Sequence, residues 1–519
     1  MTKGKVYLVG AGPGDPGLIT LRAAEILRRA DAVLYDYLAN PAILAHCRPA
    51  AIKIPLGKHG RTRILAQDEI NERLVTLAQE FGTVVRLKSG DPMVFGRAAE
   101  EIDCLVRHGI EFEIVPGVTA ALAAGSYAGI PMTHRDVASA VAFVTGREHC
   151  AGEADREGEA GREGEVAEPD DSSLDYAALA RFPGTLVFYM GVTTARHWSS
   201  ALVAAGKPAT TPVAVVRRVS LLDQTRLDTT LGEVAAAIQA ARLRPPVVFV
   251  IGDVAATGDA WSWFQRRPLF GQRVLVTRPA HQAAELAAPL AELGAEVLLQ
   301  PAIEIRPAAD AARVDRMLEL MDRFDWLVFS SSNGVRFLLD QLLNPGVGRD
   351  LRALGNVKIA AVGPGTAEEL ARYHLRADLV PQEFRAEALA AALREGAAGK
   401  RFLLVRASRG REVLADELTR AGGIVEQLVA YESVDVEQPE AEIAERLAAG
   451  QIEWTTVTSS AIARSLVRMF GAALARTKLV SISPLTSATL RELGYEPAAE
   501  AQEYTLAGVI AAVRAAAAG

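Results

Sequence analysis

An α/β fold, assembled from strand–helix units along the whole chain, is predicted by three features of the sequence. Apolar runs of strand length alternate with amphipathic helical stretches. A glycine-rich turn separates the first such run from the helix that follows it. Much of the second half of the chain repeats itself, segment by segment and in order. At about 150 residues per domain, the 519 residues predict three to four compact units.

Taken in order, residues 1 to about 146 carry the runs KVYLVG, DAVLYD, TVVRLK, EFEIVP and VAFVTG, each bounded by turn or helix signals. AGEADREGEAGREGEVAEPDD then breaks the rhythm, and the expectation for this acidic stretch (residues 151–171) is a loosely held loop or a docking tail for a basic partner. Order resumes at Leu174 with TLVFYMG, TPVAVV and PPVVFVIG, and this part closes near Trp261. A short joint, SWFQRRPLFGQ, leads into the repeat. RVLVTR from Arg273 recurs 128 residues on as RFLLVR from Arg401, and DWLVFSSSNGV from Asp325 recurs at the same offset as EWTTVTSSAIA. AAVGPGTAEELARYHL returns as VSISPLTSATLRELGY, with Thr366 matching Thr486. Two similar α/β lobes with a cleft between them follow from this.

Composition narrows the function. Half the residues are hydrophobic and 23% are charged, as in an ordinary globular protein. The net charge of −7 sits in residues 153–171, with nine acids and two arginines, so the rest of the chain is neutral. A nucleic-acid binder would need a basic stripe, and none is seen. No stretch of about 18 uncharged apolar residues predicts a membrane span. The start, MTKGKVYLVG, lacks the apolar core of a signal peptide, and Cys47, Cys104 and Cys150 are too scattered for a metal site. Free thiols, a cytoplasmic location and no metal are expected.

Chemistry begins at GAGPGDPG, where Gly12, Gly14 and Gly17 satisfy GxGxxG between a strand and a helix. That pattern alone fits a dinucleotide loop or a tight turn without a ligand. Two prolines interrupt it, and no acid stands in a clear ribose-binding place. Its companions are more specific: DAVLYDYLAN, GKHGRTRILAQDEIN, VVRLKSGDPMVFGRAAEE, EIVPGVTAALAAGSYAGIPMTHRD, VAFVTGRE and LVFYMGV. With these, residues 5 to 255 resemble the uroporphyrinogen-III C-methyltransferases among the tetrapyrrole methylases. The resemblance implies two α/β lobes with S-adenosylmethionine held between them. Carried over by position, the methyl-donor contacts are Pro13, Ser89, Gly90, Asp91, Val94, Thr119, Ala120, Met190 and Val219. Asp36 is the implied proton acceptor and Lys58 the implied donor. A carboxylate suits the first role, because a pyrrole carbon becomes nucleophilic as its ring nitrogen loses a proton. Arg86, Lys88, Arg97 and Arg135 are candidate partners for substrate carboxylates. Ser89, Ala98, Ala99 and Val219 depart from the pattern where the family has glycine. Were φ positive there, each side chain would cost roughly 1–2 kcal/mol.

The repeat region, residues 272–519, resembles uroporphyrinogen-III synthase through VLVTRPAHQAAELAAPLAELGAEVLLQPAIEI, DWLVFSSSNGVRFLL, IAAVGPGTAEELA, VPQEFRAEALAAAL, LLVRASRGREVLADELTRAGGIVEQLVAYESV and EYTLAGVI. The implied lobes are 272–308 plus 440–515, and 309–439. The implied substrate, hydroxymethylbilane, carries eight carboxylates, for which Arg278, Ser331, Ser332, Asn333, Thr366, Arg406, Ser459 and Thr486 are the candidate contacts. Tyr431 is the candidate acid for departure of the substrate hydroxyl.

The organisation read from the sequence is a methylase over 1–262, with lobes of about 1–135 and 136–262, a linker at 263–271 and a synthase over 272–519. The expected activity is cyclisation of hydroxymethylbilane to uroporphyrinogen III and its methylation to precorrin-2, by a homodimer paired through the methylase half. A methylase for a later corrin precursor, and a binding module that has lost its chemistry, are the alternatives.

Overall fold

Parallel strands covered on both faces read as continuous apolar runs, and the computed structural model turns those runs into sheets. It describes residues 4–57, 65–147, 174–257, 261–410 and 412–518. Lys58 and the acidic stretch 151–171 lie outside the described residues. Two units divide the chain, Met1–Gly271 and Gln272–Gly519.

In the first unit β1 (Lys5–Gly10), β2 (Ala32–Tyr35), β3 (Ile52–Pro55), β4 (Thr83–Lys88) and β5 (Phe112–Val115) form a parallel sheet of order β3-β2-β4-β1-β5. β1 is buried over five of its six residues. The helix Leu21–Arg29 that follows is capped by Thr20, whose Oγ1 accepts from Ala23 N–H at 3.2 Å, and buries Ala23, Ala24, Ile26 and Leu27 on one face. A second sheet, of order β6-β7-β10-β8-β9, contains β6 (Val141–Thr145), β7 (Thr185–Tyr189), β8 (Pro212–Arg217), β9 (Thr225–Thr230) and β10 (Val247–Ile251). Its β10 runs antiparallel to β7 and β8. Trp198 is fully buried there, stacked on Phe188 at 4.8 Å, and its indole N–H reaches Gly191 O at 2.9 Å.

Two boundaries read from the sequence move. The helix Ala120–Ala128 belongs to the second lobe, since Ala121, Ala123, Ala124 and Ala128 pack with Val187, Ala214, Val216 and Val250. The crossing between lobes therefore falls just after β5 and not at 135. Gly129 ends that helix at φ 67°, where a Cβ would lie 2.4 Å from the Trp261 carbonyl carbon. The segment read as a linker is also bound down. Phe264 and Leu269 are buried, Phe264 packs on Tyr127 at 4.6 Å, and Trp263 donates to Ser126 O at 2.8 Å.

The second unit is built from the repeat. β11 (Arg273–Val276) and β12 (Glu296–Leu299) open one sheet. β13 (Ile303–Pro307), β14 (Trp326–Phe329), β15 (Lys358–Ala361), β16 (Arg401–Ala407) and β17 (Ile424–Asp435) make the other, in order β13-β17-β16-β14-β15. β18 (Trp454–Val457), β19 (Lys478–Ser481) and β20 (Ala499–Glu500) complete the first as β12-β11-β18-β19-β20. β13 pairs antiparallel with β17, so residues 303–307 join the second lobe and the expected boundary at 308 is too late. The cause is the length of β17: at 12 residues it extends past its parallel partner and offers an edge to β13. Helix N-termini collect at the C-terminal ends of the parallel strands in both sheets, where α/β folds place their sites.

Candidate functional site

The glycine-rich loop after β1 and the Ser89–Asp91 loop after β4 meet as a two-residue antiparallel bridge. Gly12 N–H donates to Gly90 O at 3.1 Å and Gly90 N–H to Gly12 O at 2.7 Å. Gly90 sits at φ 67°, and a Cβ there would project to 3.8 Å from Thr119 Cα, into the space bounded by the two loops and the start of helix Ala120–Ala128. Asp91 shapes this turn: its Oδ2 accepts from Gly117 N–H at 3.0 Å and its Oδ1 from Met93 N–H at 2.8 Å. Val94 closes the same turn, its N–H donating to Asp91 O at 3.3 Å.

From the second lobe Tyr189, at the end of β7, supplies what that helix lacks. Thr119 makes no side-chain cap to it, but the Tyr189 hydroxyl accepts from Ala121 N–H at 2.8 Å and bonds Thr119 Oγ1 at 2.7 Å. The next residue, Met190, takes φ 54° and is 47% exposed, an uncommon backbone for a non-glycine residue. Pro13, Ser89, Gly90, Asp91, Val94, Thr119, Ala120 and Met190 are thus tied into one neighbourhood by the loop bridge and the Tyr189 bonds. Val219 comes to it through its main chain, since its carbonyl oxygen would lie 3.1 Å from a Cβ at Gly14, while its side chain is buried in the lobe's core. Ser89, Ala98, Ala99 and Val219 all lie outside the left-handed region, so the strain expected at those positions does not arise; Arg218 and Ser220, flanking Val219, carry φ 50° and 62° instead.

Asp36, directly after β2, lies one strand from these loops. Arg86 Nη2 reaches its Oδ1 at 2.6 Å, and Arg86 Nε and Lys88 Nζ converge on Glu101 Oε1 at 3.0 and 2.7 Å. Arg86, Lys88 and Glu101 are buried, so the two cations are internal counter-charges and not free partners for substrate carboxylates. Burial alone would lower Arg86, but Asp36 and Glu101 outweigh it, while burial and the charge of Arg86 hold Lys88 below its ordinary value. Glu101 Oε2 has no hydrogen-bond partner among the described residues. The Arg97 side chain pairs with both oxygens of Glu100 at 2.8 and 2.9 Å, and Arg135 is exposed. Tyr189 and Glu101 are the structural partners that sequence reasoning did not name, and Arg86, expected to meet substrate, pairs with Asp36 and Glu101 instead. For Tyr189 the available signal was its place in FYMG, directly before Met190.

In the second unit a cleft of about 330 Å³ opens between the lobes, lined by Arg278, Gln282, Asn333, Arg409, Tyr431 and Ser459 among others. Ser331 and Ser459 are repeat equivalents that cap their helices alike, accepting from Gly334 and Ile462 N–H at 3.1 and 3.2 Å. Ser331 Oγ also bonds Tyr431 OH at 2.8 Å, and Ser332 opens the capped helix Ser332–Leu342. Tyr431 is buried and stacked on Phe337 at 5.7 Å. Burial pushes its phenol up, against the pull of Ser331 and Asn333, so it holds its proton more tightly than an exposed tyrosine. Arg278 donates to Gln282 O and Glu285, each at 3.0 Å.

Of the expected contacts Arg278, Asn333 and Ser459 line the cleft and Ser331 reaches it through Tyr431, whereas Ser332, Arg406, Thr366 and Thr486 do not line it. Arg406 is turned into its own lobe by Glu412, Gln427 and Gly410 O, where β16 bulges, and Arg409 lines the cleft instead. Thr366 and Thr486 are 5% and 2% exposed, inside the first turns of their helices. The lobes are joined on one side by Gln282–Asn333 at 2.8 Å and by Arg336 donating to His281 Nε2 at 2.8 Å. On the other side Arg409 and Arg468, from different lobes, share Asp435. Burial would raise that carboxyl, but the two cations outweigh it and hold it below its ordinary range.

Comparison with known proteins divides at the same place. The family model for tetrapyrrole (corrin/porphyrin) methylases matches residues 5–235, and that for uroporphyrinogen-III synthase HemD matches residues 284–511. A porphyrin biosynthesis protein HemD of Ruminiclostridium josui is 33% identical over 98% of this chain and 96% of its own length. Siroheme synthase 1 of Yersinia enterocolitica is 44% identical over 52% of this chain and 53% of its own. Uroporphyrinogen-III C-methyltransferase of Bacillus subtilis is 40% identical over 58% and 59%. The chain spans little more than half the length of those two relatives. Among solved structures, uroporphyrin-III C-methyl transferase from Thermus thermophilus, complexed with S-adenyl homocysteine, is 38% identical over 49% of this chain and 100% of that one, with TM-score 0.40. A uroporphyrinogen III synthase from Thermus thermophilus is 20% identical over 47% of this chain and 98% of that one, with TM-score 0.36.

Proposed function

Because the chain belongs to the tetrapyrrole methylases over its first half and to the uroporphyrinogen-III synthases over its second, we propose that it carries out two consecutive reactions on one tetrapyrrole. The second half closes hydroxymethylbilane to uroporphyrinogen III, and the first half methylates that product on two rings to precorrin-2. The observation that carries the reading is the Gly12–Gly90 bridge, which sets the two donor loops side by side one strand from Asp36.

S-adenosylmethionine, when bound, supplies an electrophilic methyl group. The space a Gly90 side chain would fill suits it, and the Pro13, Gly90–Asp91 and Thr119–Ala120 backbones, with Met190, would hold it. Asp36 receives the proton leaving the pyrrole, and Arg86 orients its carboxylate. Lys58 is the proposed proton donor. In the second half Arg278 and Arg409 meet substrate carboxylates while Ser331, Asn333 and Ser459 line the path of the chain. Tyr431 donates a hydrogen bond to the departing hydroxyl. Holding a flexible linear substrate with its ends together supplies most of that step. A cytoplasmic setting and pairing of two copies through the methylase half belong to the same proposal.

The test is an anaerobic mass-spectrometric assay of the full chain with hydroxymethylbilane. Without donor, uroporphyrinogen III in place of the spontaneous symmetrical isomer supports the second half. With S-adenosylmethionine, a gain of two methyl groups supports the first. Ring closure with no methyl gain would leave the first half a binding module.

A further inference from the structure

Resting on the synthase reading, we infer that Phe384 and Tyr504 are paired stacking platforms, one on each lobe, for pyrrole rings of the linear tetrapyrrole that extend beyond the cleft. The inference starts from the repeat, since 384 and 504 are separated by the same 120 residues that separate Thr366 from Thr486. Their backbones are alike. Arg385 N–H donates to Glu383 O at 2.9 Å, and Thr505 N–H to Glu503 O at 2.7 Å, so each ring stands at the tip of the same three-residue turn. Each turn opens a helix in the same way, with Leu389 N–H on Arg385 O and Val509 N–H on Thr505 O, both at 3.1 Å. Before each turn the chain is pinned to its sheet identically, by Asp378 N–H on Ile359 O at 2.7 Å and Ala498 N–H on Leu479 O at 2.8 Å.

Burial does not account for either ring. Both side chains are 63% exposed. A single exposed aromatic is ordinary on a protein surface, but two at equivalent positions, on turns that share every backbone bond named, are not explained by chance exposure. Their location is also shared. Both turns follow the last parallel pairing of their repeat copy, the isolated bridge of Leu379 to Ala360 in one and β20 in the other, at the strand ends where the helix N-termini gather. Tyr504 is two residues from Leu506, which lines the cleft with Ile482. Phe384 lies over the start of helix Pro364–Arg372, so close that a Cβ at Gly363 would meet the Phe384 Cβ at 3.0 Å. Gly363 is the equivalent of Ser483 in the other lobe, and its missing side chain leaves the room that the phenyl ring uses.

The chemistry matches. A linear chain of four pyrroles with eight carboxylates is extended and the cleft is open, so rings that reach past Leu506 and Ile482 come to the turns that carry the two aromatics. Pyrrole rings present flat π-faces, and an exposed aromatic offers each an offset stack that is insensitive to ring substituents. Arginines in the cleft hold carboxylates; rings on the rim hold the pyrroles between them.

The test compares Phe384→Ala, Tyr504→Ala and the double variant with the parent full chain. Each is assayed for KM and kcat with hydroxymethylbilane, for the ratio of isomer III to isomer I, and for equilibrium dialysis of uroporphyrinogen III under anaerobic conditions. Each alanine is expected to raise KM and the dissociation constant roughly ten-fold, with the double variant additive and isomer I increased. Leucine should fall between alanine and an aromatic exchange (Phe384→Tyr, Tyr504→Phe), which separates stacking from mere apolar cover. Unchanged thermal unfolding is expected of side chains so exposed. A parent that cyclises while both alanine variants match it in KM and dissociation constant overturns the platforms and leaves the synthase reading intact. A parent that neither cyclises nor retains uroporphyrinogen III overturns both.

Discussion

Arg86 Nη2 lies 2.6 Å from Asp36 Oδ1, and the same guanidinium gives its Nε to Glu101 at 3.0 Å. The pairing follows from register. Arg86 stands opposite Leu34 in β2, so Asp36, two residues further along, projects from the same face of the sheet. Glu101 comes from the helix Ala98–Arg107 that covers this face, and it also takes Lys88, two residues on from Arg86. Two cations and two carboxylates therefore balance in a buried row whose only partly exposed member is Asp36, at 27%.

Glu101→Ala leaves two buried cations without their shared counter-charge. Breaking a buried pair from one side costs about 3–5 kcal/mol, and the first unit is expected to lose stability on that scale. Urea unfolding of the full chain, followed by exchange protection in β4, measures it. A loss below about 1 kcal/mol would mean that Arg86 and Lys88 find other partners.

That row marks where sequence reading stops. The strands, the repeat and the glycine loops were legible because periodicity and turn chemistry are local. KVYLVG reads as a covered strand, and GAGPGDPG as a strand-to-helix turn whose ligand the glycines alone leave open. In VVRLK, by contrast, Arg86 and Lys88 resemble the polar face of a half-exposed strand. Their partner lies on a helix more than ten residues later, with no spacing rule to announce it. Arg406 was misassigned for a similar reason. It is a faithful repeat partner of Arg278, but the bulge after it turns its side chain away and brings Arg409 forward. Residues 303–307 changed lobes because strand pairing across a sheet edge is a tertiary event. Thr366 and Thr486 matched in sequence because both are buried helix starts.

Tyr431 invites a sharper test than its deletion. Tyr431→Phe keeps the stack on Phe337 and removes the hydroxyl that bonds Ser331. Since burial pushes the phenol up, the contribution expected of it is a donated hydrogen bond rather than release of a proton. Losing one such bond in the transition state corresponds to about 1.4 kcal/mol, or ten-fold in kcat for cyclisation. The KM for hydroxymethylbilane should move less. A fall beyond about 10³-fold would restore the acid role.

His281 makes the lobe contact pH-sensitive. Its Nε2 accepts from Arg336, so the bond requires a neutral ring, and Arg278, Glu285 and Asn333 are the other groups acting on it. Burial and then Arg336 hold its pKa below the ordinary 6.5, with Asn333 and Glu285 opposing. The unfolded chain therefore takes up the proton first. Stability from this contact is full above 6.5 and is lost as the pH falls from there through the lowered folded value. Thermal unfolding of the parent should decline across that window more steeply than that of His281→Gln, which keeps an acceptor and cannot titrate. Parallel curves would remove His281 from the account.

Asp36→Asn separates the chemical step from donor capture. The amide keeps the shape and still accepts from Arg86, but it cannot take a proton from the pyrrole. General-base contributions run from about 10² to 10⁴-fold, so methyl transfer to uroporphyrinogen III is expected to slow on that scale. Affinity for S-adenosylmethionine by calorimetric titration should stay near the parent's, because the donor loops are joined by Gly12, Gly90 and Tyr189 without Asp36. Cyclisation by the second half, measured in the same preparation, serves as the internal control for folding. Loss of donor binding in parallel with rate would assign Asp36 to holding the loops. An unchanged rate would transfer the proton acceptor to another group.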